Sequence, residues 1–168
     1  MARRQVFYSF DFAQDVLRVA QIRNVGELED NKPVSPEDWE QIQKKGDLAV
    51  EDWIDDNMRY ADCVVVLVGE RTALRRWIRY EIRKAWTLKK GLFGIYVHNL
   101  KDPETGACTR GPNPFEQFTF KDEADNDFRI KCYNPGRLFA LQDIKTKLQS
   151  WVETAIAQRH DPDLPAGR

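Results

Sequence analysis

Hydrophobic and polar positions in the first third of this 168-residue chain follow strand and helix periods in turn. The β-branched and aromatic run QVFYSF (5–10) predicts a first strand. Apolar residues then recur at helical spacing over residues 13–23, which predicts a helix. The polar stretch NVGELEDNKPV (24–34) follows and is predicted to be a loop.

Two more helices are predicted before the middle of the chain. The sequence SPED is typical of a helix start, because Ser35 can cap the helix, Pro36 suits its first turn and acidic residues favour its positive end. This helix is expected to end near Gly46. A second helix is predicted to run from Asp47, as its cap, to about Tyr60. Its inward positions are predicted to be Leu48, Trp53, Ile54 and Met58.

The rest of the chain alternates strands with helices. CVVVLVG (63–69) is apolar at every position, which is typical of a central parallel strand covered by helices on both faces. LFGIYVH (92–98) is predicted as a strand, and a helix containing RRWIRYEIRK (75–84) lies between the two. FRIKCY (128–133) is predicted as an edge strand and residues 144–158 as a closing amphipathic helix. This alternation predicts an α/β sandwich with a mainly parallel central sheet.

The length of the chain suits a single domain, and no internal repeat is visible. Residues 101–127 form a long excursion rich in proline, glycine and aspartate, and loops of this length are usually functional or disordered. We expect one domain over residues 1–158 and a flexible C-terminal tail over residues 159–168.

Composition argues against several classes of protein. The 26 basic and 27 acidic residues nearly cancel, so binding to nucleic acid is not predicted. Cys63, Cys108 and Cys132 form no CxxC pair and there are two histidines, so we predict neither a disulfide framework nor a metal site. No export signal is visible, and the apolar runs are shorter than the roughly 20 residues that cross a bilayer. We therefore expect a cytoplasmic protein without a membrane partner.

One carboxylate interrupts the apolar side of the helix that contains residues 75–84. At about 100° per residue, Ile78 and Ile82 lie on one side with Leu74 and Ala85, and Glu81 falls inside this arc. Two interpretations stay open. Glu81 pairs with an arginine or with backbone groups, or its burial beside Trp77 raises its pKa and prepares it for chemistry. The basic residues Arg75, Arg76, Arg79 and Arg83 lie largely opposite and are predicted to be a solvated face.

The catalytic interpretation depends on where this helix begins. In open α/β sheets ligands bind at the carboxyl ends of the strands, so only the first turns of a following helix reach them. A helix beginning at Thr72 would place Glu81 roughly 12 Å along its axis, out of reach. The catalytic interpretation therefore requires a helix that begins near Arg75 or Arg76.

Several segments together resemble a known family. VFYSF as a first strand, CVVVLVG as a core strand, and the W-x-x-x-E of Trp77 and Glu81 opening the next helix are similar to bacterial TIR-like domains. The segment RWIRYEIRKAWTLKKGLFGIYVHNLKD and GPNPF (111–115) resemble most the TIR proteins of Thoeris anti-phage defence. The resemblance covers about residues 5–158.

This resemblance implies a flavodoxin-like three-layer sandwich that cleaves the nicotinamide–ribose bond of NAD, with NAD as substrate and no cofactor. Glu81 matches the catalytic glutamate of the family, and Ser9 matches a serine that lines the NAD pocket. The implied product is a cyclic ADP-ribose isomer or a related ADP-ribose signal, which activates a separate effector protein. Self-association is implied too, because TIR enzymes commonly assemble to complete the pocket.

The remaining substrate-binding candidates are Phe10, Asp11, Asn24 and Trp77. Trp77 would stack on nicotinamide or ribose, with core packing as the alternative. The hydroxyl of Ser9 would hold a ribose or amide group, with local capping as the alternative. If the product is cyclic, the excursion over residues 101–127 is expected to keep water away from the ribose.

Other functions occur on similar folds and need different residues. A receiver domain needs an aspartate at the end of a central strand, and here that strand ends in VGER. A flavin carrier needs a glycine-rich phosphate loop, and SFDFAQD contains no glycine. A nucleoside-processing glycosyltransferase and a non-catalytic scaffold that acts by self-association remain as alternatives.

Overall fold

The computed structural model describes residues 4–24, 29–30 and 35–160 of the chain. Within these residues there are five strands, β1 (Gln5–Ser9), β2 (Glu29–Asp30), β3 (Cys63–Val68), β4 (Gly91–Tyr96) and β5 (Cys132–Tyr133). The same residues form five α-helices, α1 (Phe12–Arg23), α2 (Pro36–Lys44), α3 (Asp47–Met58), α4 (Arg76–Thr87) and α5 (Ala140–His160). Short 3-10 turns lie at Thr72–Leu74 and Pro114–Gln117.

All pairings between neighbouring strands are parallel, and the strand order is β2-β1-β3-β4-β5. This is the flavodoxin-like order, so the predicted α/β fold with a parallel sheet is confirmed. The direction of winding reverses between β1 and β3, where Ser9 pairs with Val66. In folds of this type the crevice at such a reversal, at the carboxyl ends of the strands, is where ligands bind.

Strand β3 is apolar throughout because both of its faces are buried. All six of its residues are buried. Cys63, Val65 and Leu67 pack into the core that includes residues of α1 and α5. Val64, Val66 and Val68 pack into the second core, which includes residues of α3 and α4. Because side chains alternate across a strand, two helical layers bury both faces of the sheet.

The start of α3 differs from the prediction. Gly46, not Asp47, is the N-cap residue, and its φ of 104° is a backbone conformation that glycine adopts without strain. Asp47 is the first residue of the helix and no side chain caps it. Leu48 is 76% exposed, so the prediction that it faces inward was wrong. Ile54 and Met58 are fully buried, as predicted.

Both edges of the sheet also differ from the prediction made from the sequence. Strand β2 lies within the stretch predicted to be a loop, and it pairs with the first residues of β1. At the other edge, β5 is confined to Cys132–Tyr133 rather than spanning residues 128–133. Edge strands this short carry almost no hydrophobic alternation, so their existence depends on pairing with a neighbour rather than on a local pattern.

Helix α5 is longer than predicted at both ends. It begins at Ala140 and extends to His160, so residues 159 and 160 are helical and do not belong to a flexible tail. The Arg159 guanidinium lies 3.7 Å from the centroid of the Trp86 ring. The rest of the predicted tail lies outside the described residues. None of the helices in the described part of the chain is both long and apolar enough to span a membrane.

The excursion after β4 packs against the connection between β3 and α4. The side-chain amide of Gln117 donates to the carbonyl oxygen of Ala73 at 2.8 Å. The guanidinium of Arg18, from α1, donates to the carbonyl oxygens of Leu100 and Gly106 at 3.0 and 2.7 Å. Gly111 lies so close to Gly69 that an added Cβ would collide with its carbonyl oxygen. The excursion is therefore an integral part of the fold.

We predict that Gly111→Ala lowers the free energy of unfolding by roughly 1–3 kcal/mol, because its methyl group would push the excursion off the β3–α4 connection. Gly136→Ala is the matched control, since the nearest heavy atom to its added Cβ is 3.8 Å away. Urea denaturation of both variants measures the difference. Equal stability of Gly111→Ala and Gly136→Ala would contradict the close packing.

Candidate active site

Helix α4 begins where the catalytic interpretation requires. Its N-cap is Arg75 and its first residue is Arg76. The preceding residues, Thr72–Leu74, form a separate 3-10 turn, and the extended backbone of Arg75 (ψ 124°) separates the two. Glu81 therefore lies roughly 8 Å along α4 from Arg76, within reach of the carboxyl end of the sheet.

A cavity of about 640 Å³ lies between the residues that follow β1 and the start of α4. Residues 10–13 and 74–78 line it together with Glu81, and α2 and α3 supply the remaining wall. The residues from α2 and α3 are Trp39, Gln43, Asp47 and Val50. The cavity thus lies beside the reversal point between β1 and β3, where this fold class binds ligands.

Glu81 is buried against this cavity, and no described residue forms an ion pair with it. The residue is 5% exposed, and its Oε2 atom has no hydrogen-bond partner among the described residues. Burial raises the pKa of the Glu81 carboxyl group to about 8, and the neighbouring Ser9 hydroxyl partly offsets this. The interpretation of Glu81 as the partner of an arginine is wrong, because Arg75 and Arg76 pair with Asp11 and Asp47 instead.

Ser9 lies close to Glu81. It is the last residue of β1 and is 1% exposed, and it is not part of the cavity lining. Its side chain lies near enough to lower the pKa of Glu81, although its Oγ atom makes no hydrogen bond of good geometry. The structure therefore brings Ser9 next to the candidate catalytic group, although Ser9 does not line the cavity itself.

Phe10 and Asp11 both line the cavity, as the sequence analysis expected of this rim. The two carboxylate oxygens of Asp11 are already engaged. Oδ1 accepts a hydrogen bond from the backbone N–H of Ala13 at 3.1 Å and caps α1. Oδ2 accepts from Nε of Arg75 at 2.9 Å. Asp11 thereby ties the start of α1 to the start of α4.

Trp77 is half-buried and lines the cavity one turn before Glu81. The Arg76 guanidinium lies 4.4 Å from the centroid of its ring. Tyr80 meets the ring edge-on, with centroids 5.7 Å apart. Trp77 therefore packs against its neighbours and also faces the cavity, so its two interpretations do not exclude each other.

Sequence reasoning missed an aromatic wall built around Trp39. The Trp39 ring stacks on Phe12 with centroids 5.0 Å apart and an angle of 15° between the planes. Phe12 in turn lies 4.4 Å from Phe10, and Trp53 meets Trp39 edge-on. The available signal was a single tryptophan in the short and otherwise mostly polar helix that begins at SPED.

Two features that the sequence analysis assigned to the site do not line this cavity. Asn24 is the C-cap of α1, roughly 18 Å of helix away from Asp11 at its N-cap, and it is not part of the cavity lining. The reason is that α1 runs away from the carboxyl end of the sheet. The excursion over residues 101–127 does not line the cavity either, and α2 forms the outer wall instead.

The parallel sheet in this order, with Trp77 and Glu81 near the start of α4 and a cavity at the reversal point, defines a TIR-like domain. The family described as "Thoeris protein ThsB, TIR-like domain" matches residues 7–102, which include every residue of the cavity lining. The chain belongs to this family.

A curated relative from Bacillus cereus (strain MSX-D12) carries the name "Putative cyclic ADP-D-ribose synthase ThsB1". It is 33% identical over 131 residues, which are 74% of this chain and 67% of the relative.

We predict that Glu81→Gln stabilises the protein, increasingly so at higher pH. The pKa of Glu81 rises from 4.5 to about 8 on folding, so the folded state holds the proton more tightly and its stability falls as pH increases across this interval. Glutamine carries no charge to desolvate. The free energy of unfolding of the variant should therefore exceed that of the wild type by about 1–3 kcal/mol at pH 8 and by much less at pH 4.5.

Chemical denaturation at pH 4.5, 6 and 8 measures this difference. Glu104→Gln is the control, because Glu104 is exposed. A gain for Glu81→Gln that does not grow with pH would contradict the desolvation of the carboxylate.

Proposed function

We propose that this chain is an NAD-consuming enzyme, of the NAD glycohydrolase or ADP-ribosyl cyclase type, that cleaves the nicotinamide–ribose bond. Its product would be a cyclic ADP-ribose isomer or a related ADP-ribose signal in Thoeris defence. The observation that carries this proposal is the buried Glu81 carboxyl group beside an aromatic cavity, with an Oε2 atom that no described residue hydrogen-bonds. The name of the Bacillus cereus relative supports it.

Cleavage of the nicotinamide–ribose bond calls for a negatively charged group close to the ribose, which is the role proposed for Glu81. When neutral nicotinamide leaves, positive charge develops on the ribose carbon, and an anion held nearby stabilises that charge. With its pKa at about 8, Glu81 is mostly neutral at pH 7 in the free protein. The nicotinamide ring of NAD carries a positive charge, which favours the ionised carboxylate when the substrate enters. Substrate binding therefore generates the charge that the reaction uses.

The proposed roles of the other residues follow from their positions. Trp77, one turn before Glu81, would stack on nicotinamide or ribose. Phe10 would extend the aromatic surface, and Ser9 would hold the Glu81 carboxyl group in place. Asp11 would act through Arg75 by fixing the start of α4.

A cyclic product requires that a nucleophile on the same molecule reach the ribose carbon before water does. The wall formed by Phe12 and Trp39 is suited to this, because stacked rings hold a flat base and exclude water. We place the exclusion of water in α2 for this reason and not in the excursion over residues 101–127.

In the proposed reaction NAD is consumed as a substrate and does not act as a cofactor. The released ADP-ribose signal would bind a separate effector protein, so the effector is a partner only through the product. Self-association of the chain is part of the proposal.

Glu81→Gln is predicted to reduce nicotinamide release from NAD by roughly 100-fold or more, because it removes the anion that faces the developing charge. Chromatography of the reaction measures release, and mass spectrometry identifies the ribosyl product. Glu104→Gln, on the exposed surface, should retain wild-type activity.

Unchanged release by Glu81→Gln would exclude Glu81 as the catalytic group. The absence of release by wild type at any protein concentration, together with oligomer formation, would favour a scaffold. Faster cleavage of free nucleosides than of NAD would favour a nucleoside-processing glycosyltransferase.

A further inference from the structure

We infer that Arg76, with Arg75 and the first-turn amides of α4, forms a binding site for the pyrophosphate of a dinucleotide at the mouth of the cavity. The ligand class is a nucleoside diphosphate in which a second sugar extends inward toward Glu81. This inference rests on the proposed function, because it takes the dinucleotide to be NAD.

The spacing along α4 matches such a ligand. Arg76 and Glu81 line the same cavity, and they are separated by roughly 8 Å of helix. In NAD only a few bonds separate the ribose carbon that bears nicotinamide from the nearest phosphate. A ribose at Glu81 would therefore place its phosphate beside the first turn of α4.

The first turn of α4 is open to an anion. Its N-cap residue, Arg75, makes no side-chain hydrogen bond to the turn. The first N–H groups of any α-helix lack acceptors within the helix, and the helix dipole favours negative charge there. Glu81 is 95% buried, its Oε2 atom has no hydrogen-bond partner in the part of the chain that the structure describes, and it lines the same cavity, which marks the cavity independently as a place for a ligand.

The two arginines differ in how firmly they are held. Nε of Arg75 donates to Asp11, whose side chain is only 3% exposed, so this pair is part of the fold. In the described part of the chain, the terminal nitrogens of Arg75 make no hydrogen bond. Arg76 pairs with Asp47 at 2.6 Å, and these side chains are 59% and 68% exposed. An ion pair this exposed contributes little stability, so a phosphate would displace Asp47 readily.

Trp77 prepares Arg76 for this exchange. The Arg76 guanidinium lies over its ring, which keeps the charge at the edge of the cavity after the contact with Asp47 is lost. Asp47 and the phosphate of the ligand therefore compete for Arg76, and the bound phosphate takes the place of Asp47.

A purely structural role for Arg76 makes a different prediction. If the Arg76–Asp47 pair only joined α4 to α3, removing either side chain would break the same contact with the same effect. If Arg76 binds phosphate, removing Asp47 frees it. The Asp47 and Arg76 variants would then change ligand affinity in opposite directions.

The test measures ADP-ribose affinity by isothermal titration calorimetry and KM for NAD from nicotinamide release. For Arg76→Gln, we expect the Kd for ADP-ribose and the KM for NAD to rise about tenfold each, as for the loss of one charge-assisted hydrogen bond. For Asp47→Asn, we expect both to fall by about twofold to threefold, as for the loss of a weak exposed pair. Arg83→Gln is the control, because Arg83 is exposed about two turns further along α4 and lies outside the cavity lining.

The pyrophosphate site would be overturned if Arg76→Gln left ADP-ribose affinity unchanged. It would also be overturned if Arg76→Gln and Asp47→Asn weakened that affinity alike. Failure of the proposed function gives a separate result, because ADP-ribose would still bind in an Arg76-dependent manner while wild type released no nicotinamide from NAD.

Discussion

The Glu81 carboxyl group is buried, and no cation among the residues that the structure describes compensates for it; this links the fold of the chain to its chemistry. Desolvation favours the neutral acid and raises the pKa to about 8. An arginine beside Glu81 would lower that pKa and would also weaken the attraction of the carboxylate for a positively charged substrate. The two arginines that line the same cavity, Arg75 and Arg76, pair instead with Asp11 and Asp47. The same feature that lowers stability at neutral pH therefore prepares the site for a cationic ring.

Holding such a group requires a rigid connection between β3 and α4. Three contacts provide it from different sides. Thr72 accepts a hydrogen bond from the backbone N–H of Gly69, Gln117 donates to the carbonyl oxygen of Ala73, and Asp11 pairs with Arg75. Through Gln117 the excursion supports the site from outside, although it does not line the cavity. This gives the excursion a physical role that differs from the exclusion of water.

Strong local patterns made much of the fold predictable. The apolar run of β3 is long enough to predict a buried strand, and the amphipathic pattern around Glu81 is long enough to predict a helix. The structure confirms both elements. Strand β2, with two residues, has no pattern of its own and forms only beside β1. Leu48 was misassigned because an apolar side chain at the first turn of a helix does not have to face the core.

The candidate site was predictable only in part, for a related reason. Glu81, Asp11 and Phe10 lie on elements whose ends follow from the strand and helix pattern, and the cavity contains all three. Asn24 does not line the cavity, because it is the C-cap of α1 and this helix runs away from the carboxyl end of the sheet. Trp39 was missed because its position depends on how α2 packs against Phe12, a contact between elements that no local pattern records.

The most direct test of the central claim is an NMR titration of the Glu81 carboxyl carbon in protein labelled with ¹³C-glutamate, with the signal assigned by its loss in Glu81→Gln. Desolvation without a partner predicts a midpoint near pH 8 in the free protein. A midpoint near the ordinary glutamate value of about 4.3 would show a solvated or ion-paired carboxylate and would contradict the account.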